Sequence, residues 1–193
     1  EHLGHMHIPV IGEHNVADAA MAACVGRLHG VSAEEIRTGL AAFHNVGARQ
    51  SVQTVHGITA ILDCYNASSE SMIASLGVLH DTAHGGRAVA VLGDMLELGE
   101  YSEQLHRKVG RAFDGMDIDT LYTYGTEARY IADSAGKYVR SVHSYGADER
   151  DELTDALLAE LHAGDTVLFK ASNGMRLGEL AQVLLDRIEE PQR

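Results

Sequence analysis

Asp63, Tyr65 and Asn66 close one apolar run of this chain, Asp94 and Glu97 close a second, and Lys170, Ser172 and Asn173 close a third. Each set stands where a buried strand would end and a helix begin, as in ITAILDCYNASSESM over 58–72 and RAVAVLGDMLELG over 87–99. In open α/β sheets ligands bind in the crevice beyond the carboxyl ends of the strands, so three such ends form one shared pocket if the sheet is doubly wound. The chemistry on offer is recognition of a zwitterion, with an exposed carboxylate for the amine and Lys170 for the acid group of an amino acid or peptide. Ser68 or Ser69 caps the helix after the first run, which leaves backbone N–H groups for an anion such as a carboxylate or phosphate. Spacing alone leaves a second reading beside this one, in which Asp94 caps a turn and Lys170 is a solvated strand end. Strand-end polar residues are not core, so Asp94→Asn and Lys170→Met are expected to leave the melting temperature within a few degrees.

The elements that must position these residues follow from periodicity. Val16, Ala20, Ala23, Cys24 and Leu28 recur at helical spacing over 15–29, and Gly30 stops that helix. Ser32 and Glu35 form a capping-box pattern ahead of a second helix at 33–43, completing a helical hairpin. HNVGARQ, 44–50, has no periodicity and reads as a linker at a domain boundary. Beyond it strands and helices alternate. Residues 51–56 and 58–63 predict a hairpin split by Gly57, followed by a helix at 70–83 with Met72, Leu76 and Leu79 on one face. Strands at 88–92, 119–123, 139–143 and 166–170 then alternate with helices at 102–114, 126–135, 149–162 and 175–188. Units of this length predict an α/β fold, a mostly parallel sheet with helices on both faces.

Composition narrows the function classes. Fifteen Lys and Arg against 28 Asp and Glu give a net charge of −13, which repels a phosphate backbone and argues against nucleic acid as a general partner. No stretch approaches the roughly 20 apolar residues of a membrane span, and the first residues lack the charged-then-apolar order of a secretory signal, so a cytoplasmic protein is expected. Cys24 and Cys64 show no metal or redox spacing and read as small buried residues. The twelve histidines, including His2, His5 and His7, lack the i, i+4 pairing and third ligand of zinc enzymes, so they read as solvated or core side chains and no metal site is expected. There is no G-x-x-x-x-G-K-[ST] loop to cradle a triphosphate and no G-x-G-x-x-G after a strand.

Five segments, GEHNVADAAMAA (12–23), VGARQ (46–50), DCYNASSESM (63–72), VLGDMLELG (91–99) and VLFKASNGMRL (167–177), taken in order resemble the carboxyl-terminal part of a Mur ligase. The pairing of D-x-Y-N-A with L-G-D-M-x-E-L-G resembles the family member that adds D-Ala-D-Ala to UDP-MurNAc-tripeptide. The resemblance implies that residues 1–49 are the tail of a central ATP-binding domain and 50–193 a Rossmann-like carboxyl-terminal domain, with an amino-terminal domain and most of the central one missing. It implies an enzyme that uses Mg and ATP to convert the precursor's peptide carboxylate to an acyl phosphate, which the amine of D-Ala-D-Ala attacks. Asn15, Arg49 and Asp63 are then expected to contact ATP, and Tyr65, Asn66, Asp94, Lys170 and Asn173 to line the substrate site, with no catalytic residue in this chain. The residues by themselves make Asn15 a helix cap and Arg49 a solvated linker residue. Two positions depart from the family pattern: Ser68 and Ser69 replace an Asn-Pro pair, and Asn173 replaces an arginine whose bidentate grip on a carboxylate asparagine does not match. Two other classes stay open, a stand-alone small-ligand or nucleotide-binding module and a non-catalytic interaction domain with an acidic surface.

Overall fold

The structure, a computed structural model, describes residues 3–45 and 49–190; His2 and residues 46–48 of the VGARQ segment lie outside them. The chain divides into two compact units, Glu1–Val46 and Gly47–Arg193. In the first, α1 (Glu13–Leu28) and α2 (Ala33–Ala41) form the helical hairpin that the spacing predicts. Ser32 Oγ accepts the Glu35 N–H and the Glu35 carboxylate accepts the Ser32 N–H, which completes the capping box. Two helices bury little: Ala23 and Ile36 are buried, whereas Val16, Met21, Val25 and Leu28 are exposed. The apolar periodicity of α1 therefore marks surface that the hairpin leaves uncovered, and Cys24, expected to be buried, is exposed.

The second unit opens with β1 (Ser51–Val55) and β2 (Ile58–Asp63), paired antiparallel. Their turn has positive φ at His56 (46°) and Gly57 (82°), the pattern whose twist matches that of a hairpin. There follow α3 (Ser69–Thr82), β3 (Ala88–Gly93), α4 (Ser102–Arg111), β4 (Thr120–Tyr124), α5 (Arg129–Ala135), β5 (Ser141–Tyr145), α6 (Arg150–Glu160), β6 (Thr166–Lys170) and α7 (Leu177–Glu189). The sheet runs β1-β2-β6-β3-β4-β5, and every pair except β1 with β2 is parallel.

Central parallel strands are covered on both faces, which is why they read as unbroken apolar runs. Val89, Val91, Val167 and Phe169 point to one layer, with Leu153 and Leu157 of α6 and Leu180 and Leu184 of α7. Ala90, Leu92 and Leu168 point to the other, with Met72 and Leu76 of α3, Val109 of α4 and Ile131 of α5. The last strand in sequence, β6, sits between β2 and β3, and its following helix leaves on the face opposite α3 and α4. The chain thus parts to opposite sides beyond the ends of β2, β6 and β3, which is the condition for a ligand crevice.

Candidate functional site at three strand ends

Asp63 and Lys170 are register partners at the ends of β2 and β6, and Leu92 of β3 flanks Lys170 on its other side. Lys170 is 1% exposed. Its Nζ donates to Asp63 Oδ2 at 2.6 Å and to the Asn66 carbonyl at 3.1 Å. Ser75 Oγ of α3 lies 2.8 Å from the same Asp63 oxygen. The lysine is neither a solvated strand end nor an open positive charge for a ligand, because the neighbouring strand supplies its counter-ion inside the fold. A buried pair of this kind holds only when both partners are present, so its work here is to fix the loop after β2 through the Asn66 carbonyl. Cys64 holds the same loop from the other side, its thiol donating to the Phe169 carbonyl at 3.2 Å.

Burial foremost, with the Asp63 charge adding to it, pushes the Cys64 thiol up to about 12. The thiol is therefore neutral, and its contribution to stability is complete below the ordinary thiol value of about 8.5 and declines as pH rises from there towards 12. Thiol labelling of the native chain at pH 8 is expected to modify Cys24 and spare Cys64 until the chain is unfolded. Comparable labelling rates for both under native conditions would contradict the burial of Cys64.

Ser68 is the N-cap of α3, and its hydroxyl and amide are paired with the amide and hydroxyl of Ser71 at 3.2 and 3.0 Å. The helix start expected to offer open N–H groups therefore has two of them occupied by its own serines. Tyr65 and Asn66 stand exposed beyond Asp63, with Asn66 Oδ1 accepting the Ala67 N–H at 2.9 Å. The Arg49 guanidinium lies over the Tyr65 ring, 4.2 Å from its centroid. Asn173, also exposed, opens a single 3₁₀ turn, Asn173–Met175, after β6.

Asp94 behaves differently from the expectation of an exposed carboxylate. It is 6% exposed, and its oxygens accept the backbone N–H groups of Thr126, Glu127 and Ala128 at 3.1, 3.0 and 2.6 Å. This is the turn-capping alternative, realised across 32 to 34 residues: the carboxylate sits where an anion would sit at a helix start and delays α5 to Arg129. Gly125, at φ 122°, must lack a side chain, because a Cβ there would run into the Asp94 carboxylate.

The loop after β3 is fixed from two further sides. Met95 N–H donates to His106 Nε2 at 3.0 Å, and His106 Nδ1 lies 2.8 Å from the Ser102 carbonyl, so the fully buried imidazole is held through both ring nitrogens. Leu96 N–H donates to Ser172 Oγ at 2.9 Å, and the Ser172 N–H to the Asp94 carbonyl at 3.1 Å, which ties this loop to the one after β6. Glu97 then projects into solvent from a left-handed backbone at φ 65°. His106 is one of the histidines read as solvated or core, and it is core; Ser75 and Gly125 carry no sequence signal, because the Asp63 and Asp94 carboxylates they meet lie on other elements.

The structure thus brings Asp63, Lys170 and the Asn66 backbone together, sets Arg49 on Tyr65, and turns Asp94 towards the loop after β4. Asn15 belongs to the first unit, on α1 rather than at its N-cap, which is Gly12; its Nδ2 donates to the Ile11 carbonyl at 2.6 Å. Among the described residues no group of three His, Cys, Asp or Glu is placed to hold a metal ion, and no helix is long and apolar enough to cross a membrane.

Comparison with known proteins agrees with this layout. The Bacillus subtilis UDP-N-acetylmuramoyl-tripeptide–D-alanyl-D-alanine ligase is 36% identical over 185 residues, 95% of this chain and 40% of the relative. A MurF structure from Acinetobacter baumannii superposes with a TM-score of 0.80 at 28% identity over 94% of this chain and 39% of the other. The Thermotoga maritima MurF ligase in complex with ADP gives 0.77 at 26% identity over 93% and 40%. The chain spans about two fifths of the length of these proteins. The family described as "Mur ligase, glutamate ligase domain" matches residues 48–173, a span that holds all six strands described above, and the chain therefore belongs to the Mur ligase family.

Proposed function

We propose that this chain is the carboxyl-terminal portion of an ATP-dependent ligase that joins D-Ala-D-Ala to UDP-MurNAc-tripeptide. The observation that carries the reading is the extent of the match: more than nine tenths of the chain aligns with ligases of that name while covering two fifths of them. Residues 1–49 are then the tail of the central ATP-binding domain, and 50–193 belong to the carboxyl-terminal domain. The exposed Val16, Met21, Val25 and Leu28 of α1 support this, since apolar residues on several sides of a helix suit a larger body than a hairpin.

In this reading Arg49 and Asn15 contact ATP, and the exposed Tyr65, Asn66 and Asn173 face the crevice where nucleotide and peptide meet. Asp63, Lys170 and Asp94, all buried, hold the loops that carry those residues. Among the described residues, Asp63 and Asp94 do not fit a magnesium site, because Asp63 Oδ2 and both oxygens of Asp94 already accept protein donors. What this domain supplies is positioning of the dipeptide amine and exclusion of water from an activated carboxylate. ATP and a UDP-linked substrate make the cytoplasm the compartment of this reaction.

The test is an assay of the purified 193-residue chain beside the complete ligase. The chain alone is expected to neither hydrolyse ATP nor form the amide bond, since no triphosphate-binding loop occurs in its sequence. The complete enzyme is expected to release phosphate only when both the UDP-linked tripeptide and D-Ala-D-Ala are present. Turnover by the chain alone, or a complete enzyme that uses single amino acids and ignores the dipeptide, would overturn the proposal.

A further inference from the structure

We infer that Tyr65 is a positioning residue for Arg49, holding its guanidinium by stacking so that the in-plane N–H groups remain available to an anion; this rests on the reading of Arg49 as an ATP contact. In a chain with 28 acidic residues, the partner that Arg49 finds among the described residues is a ring, 4.2 Å from guanidinium carbon to centroid, and not a carboxylate. The distinction is chemical. A carboxylate would take the edge donors of the fork, whereas an aromatic face takes the guanidinium plane and leaves the edge open for bidentate contact with phosphate.

The ring is suited to this because its backbone is fixed on both sides while its side chain is half exposed, at 51%. Cys64 is tied to the Phe169 carbonyl and the Asn66 carbonyl to buried Lys170, so Tyr65 projects from a loop that cannot easily shift. The buried Asp63–Lys170 pair thereby acquires a functional consequence: it anchors the platform under Arg49. No role for the phenolic oxygen is required.

In the complete ligase, Tyr65→Leu is expected to raise the apparent KM for ATP about three- to fivefold, the size of an exposed cation–π contact, with the melting temperature unchanged. Tyr65→Phe should stay within about twofold of the parent, since it keeps the ring. Arg49→Ala should raise the same KM at least as much, and Tyr65→Leu should add nothing in that background. If Arg49→Ala leaves the KM for ATP unchanged, the nucleotide reading of Arg49 fails and the inference with it. If Arg49→Ala acts but Tyr65→Leu does not, or Tyr65→Leu acts equally without Arg49, or the dipeptide KM rises instead, the positioning role alone is overturned.

Discussion

Replacing Lys170 by methionine is expected to destabilise the chain by about 3–5 kcal/mol, a loss of about 6–20 °C in melting temperature for a protein of this size. The side chain is 1% exposed and its Nζ lies 2.6 Å from Asp63, so methionine fills the volume but leaves a buried carboxylate with the Ser75 hydroxyl for company. The effect comes from the partner left behind and not from the strength of the pair. A double variant, Lys170→Met with Asp63→Leu, should therefore recover much of the loss, because removing both charges of a buried pair is commonly close to neutral. Circular dichroism melts of the three proteins decide the matter. A Lys170→Met melting temperature within a few degrees of the parent would mean that water reaches Asp63, and an equally unstable double variant would mean that the pair itself, and not its unpaired half, sustains the fold.

That expectation reverses what strand-end position suggested, and the reason shows where sequence reading stops. The sheet was legible because its signals are local. The run Ala88–Gly93 is buried throughout, Ile58–Asp63 nearly so, and His56–Gly57 carries its turn chemistry in two residues. The helix starts at Ser32 and Ser68 lie three residues from the groups that complete their caps. Lys170 and Asp63 are 107 residues apart, and nothing near either in sequence announces the other. Lysine is seldom fully buried, so a terminal lysine on a strand reads as solvated until topology places β6 beside β2. Arg49 and Tyr65 illustrate a milder case: the family pattern marks both residues, yet only the path of the chain between them sets one on the other. Periodicity starts α5 at 126 and the structure at Arg129 for a similar reason, since Thr126, Glu127 and Ala128 give their amides to a carboxylate from another strand.

The Asp94 carboxylate is the second place where a large effect is expected. Asp94→Ala leaves three N–H groups at the start of α5 without their acceptor, and charged hydrogen bonds of this kind support a cost of about 2–4 kcal/mol, or about 4–16 °C. Asp94→Asn should cost less, about 1–2 kcal/mol, because one oxygen can still receive Glu127 and Ala128 while the amide group faces the Thr126 N–H. Gly125→Ala attacks the same contact from the opposite side, since its Cβ meets the carboxylate and its backbone sits at φ 122°. Two changes that break one contact are not additive. Gly125→Ala should therefore cost distinctly less in the Asp94→Ala protein than in the parent, where the carboxylate blocks the methyl group. Fully additive losses would show that Asp94 does not press on Gly125, and an Asp94→Ala protein as stable as the parent would return the residue to the crevice as a free carboxylate. If the graded losses appear, both Asp94 oxygens serve the fold, and Glu97, exposed on the same loop, is the carboxylate of that motif left open to solvent.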